Sequence, residues 1–272
     1  MTLFSIDKDK CNGDGLCVYE CPLGIIQLVN SIPEPTPNAE GLCIKCGHCV
    51  AVCPNGALSH KLMKADECAP VQKNLFPSPE MLSHFFKCRR SIRNYKDKLV
   101  SKEVIEQMID MANWAPTGHN LQPVKWLVIY DKKQIKEYVG LTVDWMKKMI
   151  DEKSPMANFL HFDMIVSAWE KGMDTICREA PHLIIAYGAK SDPTAQTSCT
   201  IALSYLELSA FSLGIGACWA GLMHIALLFW PPLRKAIGLS DKYEFYGAMM
   251  IGYPKFKYHL IPLRNNPSIE WK

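Results

Sequence analysis

Apolar positions change period from segment to segment along this chain, and each period predicts an element. Between Lys102 and Ala115 they fall at Val104, Ile105, Met108, Ile109 and Ala112, the stripe of an amphipathic helix. Val124 to Tyr130 reads as a buried strand. Thr200 to Gly214 is apolar around most of its circumference, through Ile201, Ala202, Leu203, Tyr205, Leu206, Leu208, Phe211 and Leu213. Such a helix is buried on several sides, either inside one core or at a subunit interface. A further helix is expected to start near Ser78-Pro79-Glu80, with Ser78 as cap and Pro79 in the first turn. Trp145, Met146 and Met149 have helical spacing and read as packing, a variable substrate flap being the alternative. The nearest approach to a membrane-spanning run, Ala217 to Trp230, is too short and contains His224.

Composition narrows the picture. A chain of 272 residues, 49% hydrophobic, allows two domains, one small and one of roughly 190 residues with a real core. A net charge of +3 is too mild to indicate nucleic acid or acidic membrane lipid as a partner. Between Ser59 and Lys87, charged residues give way to Pro70, Pro77 and Pro79, as in a connector. The expected division is 1–60, a connector over 61–87, and 88–272.

Candidate chemistry is concentrated near the N-terminus. Cys43, Cys46, Cys49 and Cys53, the last followed by Pro54, form an unbroken C-x2-C-x2-C-x3-C-P run. Cys11, Cys17 and Cys21, followed by Pro22, repeat the frame with Asp14 in the second ligand slot. Each cysteine precedes its counterpart by 32 positions, from 11 to 43 and from 21 to 53. This spacing is the bacterial iron–sulfur signature, in which three closely spaced thiolates hold one cluster and the fourth reaches the other. Cluster one therefore takes Cys11, Cys17 and Cys53 with Asp14 at the remaining iron; cluster two takes Cys43, Cys46, Cys49 and Cys21. A carboxylate is a harder ligand than a thiolate. The Asp14 cluster is then either a 4Fe-4S centre with one labile iron or a 3Fe-4S centre beside an ordinary loop aspartate. Zinc competes less well, because it takes four ligands whereas eight are interleaved here. Cys68, Cys88, Cys177, Cys199 and Cys218 lie outside the runs, and no secretory segment precedes them. They are expected to be reduced thiols in an oxygen-poor cytoplasm.

The double run resembles two-cluster bacterial ferredoxins from about Thr2 to Ser59. That resemblance implies short antiparallel strands around two cluster-binding turns, covered by Phe4, Ile6, Ile25, Ile26 and Leu28. So small a domain leans on its clusters for stability.

Four later segments carry a second resemblance. Arg89-Arg90-Ser91-Ile92-Arg93 groups guanidiniums and a hydroxyl that suit phosphate, although such a cluster is also an ordinary helix-end cap. Trp114 to Pro123 is a turn-rich loop offering the amides of Asn120 and Gln122. Leu213 to Gly221 contains a Gly-x-Gly-x-x-Trp stretch, and Gly252-Tyr253-Pro254 is followed by Arg264. In this order the segments resemble the nitroreductase family of FMN enzymes. The resemblance implies an α+β fold, with a ferredoxin-like iron–sulfur domain followed by a domain of mixed sheet and helices, working as a homodimer. It also implies that Arg89, Arg90, Ser91, Arg93 and Arg264 hold the FMN phosphate and ribityl end. Pro116, Thr117, Gly118, Asn120 and Gln122 would line the ring, and backbone around Cys218, Trp219, Ala220 and Gly221 would face its N5 side. No catalytic side chain is assigned; His119 and Cys218 are expected near the flavin.

The expected activity is an iron–sulfur flavoprotein oxidoreductase, delivering electrons to a nitroaromatic, a quinone or an activated alkene. The donor is either NAD(P)H or a low-potential redox protein. An electron carrier or redox sensor without its own substrate is the alternative, as is a specialised reductase such as a dehalogenase.

Overall fold

The computed structural model describes residues 3–272; Met1 and Thr2, at the start of the expected first domain, lie outside the described residues. The chain divides into two units. One comprises Met1–Pro77 with His119–Leu121, the other Ser78–Gly118 with Gln122–Lys272.

The first unit is built from two antiparallel strand pairs and three one-turn helices. β1 (Phe4–Ile6) pairs with β4 (Leu58–His60), and β2 (Ile26–Val29) pairs with β3 (Ile32–Pro35). α1 (Leu16–Tyr19), α2 (Ala39–Leu42) and α3 (His48–Ala51) lie between them. The 32-residue repeat is visible in the backbone. α1 and α3 occupy equivalent positions, each entered through a left-handed glycine, Gly15 at φ 73° and Gly47 at φ 74°. That conformation costs glycine nothing and curls the loop tightly before each helix. Leu3, Phe4, Ile25, Ile26, Val50 and Leu58 form a small core. Leu28, expected in that cover, is instead 43% exposed. It lies on a two-stranded ribbon where Ile26 and Pro33 are the buried residues.

The second unit is a four-stranded sheet with helices. Its strands are β5 (Lys125–Ile129), β6 (His182–Ala189), β7 (Gly216–Trp219) and β8 (Tyr243–Gly252), in the order β5-β6-β8-β7. Each pairing is antiparallel, so the central sheet, expected to be mixed, is antiparallel throughout these four strands, while the combination of sheet and helices is as expected. α4 (Pro79–Cys88) begins as its sequence predicts, the Ser78 hydroxyl accepting from the Met81 amide at 3.2 Å. It occupies the end of the expected connector, and the division into units falls between Pro77 and Ser78. α5 (Lys102–Ala112) buries Ile105, Met108 and Ala112, whereas Val104 and Ile109 pack at the edge.

α6 (Lys132–Asp151), α7 (Pro155–Phe159) and α8 (Phe162–Glu170) form one packed group. Trp145 and Met146 are buried there, with Trp145 against Phe162 at a ring separation of 5.2 Å. They serve as core and not as a mobile flap. α9 (Ala195–Ser212) packs Leu203 and Leu206 into the core and leaves Tyr205 40% exposed. α10 (Gly221–Phe229) and α11 (Pro231–Ile237) complete the unit. Residues 255–272 have no regular structure and are exposed. Among the described residues no helix is long and apolar enough to cross a membrane.

Candidate functional site

Two hollows in the first unit are ringed by the predicted ligands. Cys11, Asp14, Cys17 and Cys53 line one of them. Cys21, Cys43, Cys46 and Cys49 line the other, together with His60. Both groupings cross between the runs, each hollow taking its fourth side chain from the other run. Among the described residues no three His, Cys, Asp or Glu side chains come together as ligands of a single metal ion. The thiols, with Asp14, line two hollows instead, as the multi-iron clusters of this signature require.

Local backbone explains the arrangement. Gly13 and Lys45, equivalent in the repeat, are both left-handed at φ 70° and 56°. Backbone amides donate to sulfur: Lys45 N, in one of these loops, to Cys43 Sγ at 3.4 Å, and Ala57 N, four residues after its acceptor, to Cys53 Sγ at 3.2 Å. Burial raises the Cys17 thiol, and it pushes Cys49 up to about 11, with the neighbouring thiolates of Cys46, Cys21 and Cys43 adding to the effect. Crowded, half-buried thiolates repel one another unless a cation neutralises them, and bound iron does so. The donor set therefore fits iron–sulfur clusters.

Asp14 is exposed at the rim of its hollow. Its Oδ1 accepts the Leu16 amide at 3.1 Å, which orients the carboxylate. His60 was not anticipated from the sequence: it is buried beside Cys43, with Nε2 3.7 Å from Sγ.

In the second unit, tertiary hydrogen bonds gather three of the four nitroreductase-like segments. Ile92 N donates to Ala217 O of β7 at 2.9 Å, and Lys96 N donates to Tyr253 O at 2.8 Å. The Tyr95 hydroxyl, its ionisation pushed up by burial, donates to Ile92 O at 2.6 Å and closes the turn. Gly216 is required at this junction, since a Cβ there would stand 2.8 Å from the branched stem of Ile92. Arg89 and Arg90 line a cavity of about 500 Å³ with Ala217, Tyr253 and Lys257. Arg89 Nη1 is held by Glu207 Oε1 at 2.7 Å, both side chains being largely buried. This partner lies 118 residues away and gave no local signal.

Cys218 is buried at the end of β7. Burial raises its thiol, while Arg93, the Ser91 hydroxyl and Arg178 pull the other way. The balance keeps it a protonated packing thiol. Arg178 has a left-handed backbone at φ 57° before β6 and was likewise missed. Trp219 is partly exposed, and Ala220 N donates to Ala248 O at 2.8 Å. α10 then starts at Gly221 without a side-chain cap, so its first amides point outward as donors.

In the remaining segment, Thr117 Oγ1 accepts the Gln122 amide at 3.1 Å. Gly118 packs so closely on Thr194 that no side chain fits. Pro116 and His119 are exposed. Asn120, expected to line a flavin ring, belongs to the first unit, where its Nδ2 donates to Lys45 O at 3.0 Å and Ile44 O at 3.2 Å. Arg264 lies in the exposed segment after β8 and does not line the cavity beside Arg89.

Comparison with known proteins agrees with both halves. Residues 10–58 match the family described as 4Fe-4S dicluster domain. The chain is 25% identical to an iodotyrosine deiodinase of Thermotoga neapolitana, over 64% of this chain and 89% of that protein. It is 28% identical to a putative NADH dehydrogenase/NAD(P)H nitroreductase of Archaeoglobus fulgidus, over 61% of this chain and 82% of the relative. A Bacteroides fragilis nitroreductase with bound FMN superimposes with a TM-score of 0.55 at 20% identity, covering 70% of this chain and 98% of its own, a likeness of fold. Residues 87–253 match the nitroreductase family, well over half of the chain, and the protein belongs to that family.

Proposed function

We propose that the protein is an FMN-dependent iron–sulfur oxidoreductase that reduces a small electrophile. Candidate acceptors are a nitroaromatic, a quinone or an activated alkene. One observation carries this reading: a nitroreductase-family unit shares its chain with two hollows ringed by seven cysteines and Asp14. When bound, FMN supplies electrons singly or as a hydride, and the clusters supply them one at a time.

The chain's own residues have distinct tasks. Arg90, Ser91 and Arg93, with Arg89 held in place by Glu207, supply donors for a phosphate. Pro116, Thr117, Gly118 and Gln122 offer a ring-facing edge. The uncapped amides after Ala220 suit an acceptor on the ring's N5 side. Arg264, on the exposed C-terminal segment, completes the phosphate site from a second copy of the chain. Exposed Leu260, Leu263 and Trp271 on that segment suit a partner's surface, so the working form is a homodimer. The donor is NAD(P)H or a low-potential redox protein.

The test is direct. Protein purified without air should contain iron, acid-labile sulfide and FMN in every chain. After photoreduction it should reoxidise rapidly when a nitroaromatic or quinone is added under argon. Reoxidation no faster than in buffer would identify an electron carrier or sensor instead. The similarity to an iodotyrosine deiodinase favours one further reading, reductive dehalogenation. A halogenated phenol belongs in the same assay, with halide release as its readout.

A further inference from the structure

The two cluster hollows share one backbone frame but not one surrounding. β2 and β4 are equivalent in the 32-residue repeat, which sets Leu28 of β2 against His60 of β4. Leucine brings no hydrogen-bond donor to its side of the unit. His60 brings one, and its orientation is settled by its neighbours. Leu62 N donates to Nδ1 at 3.1 Å. A backbone amide can only donate, so Nδ1 is the acceptor and the neutral ring carries its proton on Nε2. That nitrogen lies 3.7 Å from Cys43 Sγ, within reach of a hydrogen bond to a large sulfur acceptor.

Packing alone does not account for this residue. His60 is only 4% exposed, and a buried imidazole needs partners for both nitrogens. An aliphatic side chain would fill the space without that requirement. The ring's one proton is committed to a cluster ligand. A hydrogen bond to a ligand sulfur stabilises whichever cluster state carries more negative charge, which is the reduced one.

We infer that His60 is a tuning residue that raises the reduction potential of the Cys21–Cys43–Cys46–Cys49 cluster by donating from Nε2 to Cys43 Sγ. The inference rests on the iron–sulfur reading proposed above. No bond would be made or broken: His60 would hold its Nε2 proton toward Cys43 Sγ, so that a bound cluster would better accommodate one electron supplied by the donor. The counterpart Leu28 leaves the other centre without this support, so the two centres differ although their ligand frames repeat.

EPR-monitored redox titration of the full-length protein tests the idea, comparing wild type, His60→Leu and His60→Gln. In His60→Leu the ratio of reduced to oxidised second cluster should fall about tenfold at the wild-type midpoint, a shift of about 59 mV for one electron. The first cluster should not move. His60→Gln retains an amide donor and should recover most of the loss. An unshifted midpoint in His60→Leu with full iron and sulfide would overturn the tuning role alone; wild-type protein without labile sulfide would sink the cluster reading itself. Should His60→Leu fail to assemble, wild-type protein labelled with 15N-histidine decides. ENDOR on the reduced second cluster should show a coupled histidine nitrogen, and its absence would overturn the inference.

Discussion

At the scale of single residues, chemistry depends on what each side chain is allowed to reach. Asp14 sits where its repeat partner Cys46 has sulfur, and it is exposed at the rim with one oxygen on the Leu16 amide. A hard, water-accessible ligand holds sulfur-bound iron weakly. Asp14→Cys should therefore give a centre that keeps its iron on mild oxidation, whereas wild type yields a three-iron EPR signal; equal iron counts and identical spectra would refute the carboxylate's role. His182 is a different case, a fully buried histidine pinned between the Val100 amide and Tyr130 O. Burial lowers its pKa below 6.5. The unfolded chain then binds the proton more readily, so stability is complete above about pH 6.5 and declines as pH falls toward the lowered folded value. Melting temperature should drop between pH 7 and pH 5, and His182→Gln should flatten that slope. The sequence singled out neither His182 nor His60, because a histidine's role is defined by partners brought in from distant segments.

Elements set the junctions between these residues. The Arg89–Arg93 turn is placed by β7 and by Tyr253, not by its own propensity. Gly216→Ala would drive a methyl into Ile92 and should cost about 1–3 kcal/mol of stability, the usual penalty for overpacking. FMN affinity should fall with it, since Ser91 and Arg93 flank Ile92. Calorimetry and flavin-fluorescence titration measure the two effects; loss of stability with unchanged affinity would detach this turn from the flavin site. Element types were readable in advance. The α5 stripe, the Ser78 cap and β5 follow from local periodicity and capping, which act within a few residues. The antiparallel order β5-β6-β8-β7 was not readable, because register is decided by long-range packing.

For the whole molecule, the proposed relay from clusters to FMN is tested by removing one cluster. Replacing Cys46 and Cys49 by Ser should abolish reduction by a low-potential donor, by more than about tenfold, while FMN stays bound to the second unit. Stopped-flow flavin bleaching with a reduced donor protein reads this. Donor-driven turnover that survives would make the clusters structural. NADH-driven turnover in the same variant separates the two donors, for it should persist if nicotinamide acts directly at the flavin.

Taken alone, the sequence grouped the cysteines as they line the two hollows and showed that two cofactor types share one chain. Ligand spacing within ten residues leaves the backbone few ways to curl, and in the iron–sulfur signature the fourth cysteine of each run serves the other cluster. Only the tertiary structure decided that His60 faces Cys43, that Glu207 holds Arg89 and that Asn120 donates to the Ile44 and Lys45 carbonyls. These pairs span 17 to 118 residues. No local rule links such positions, and they meet only once burial of the apolar core has fixed where each strand and loop must lie.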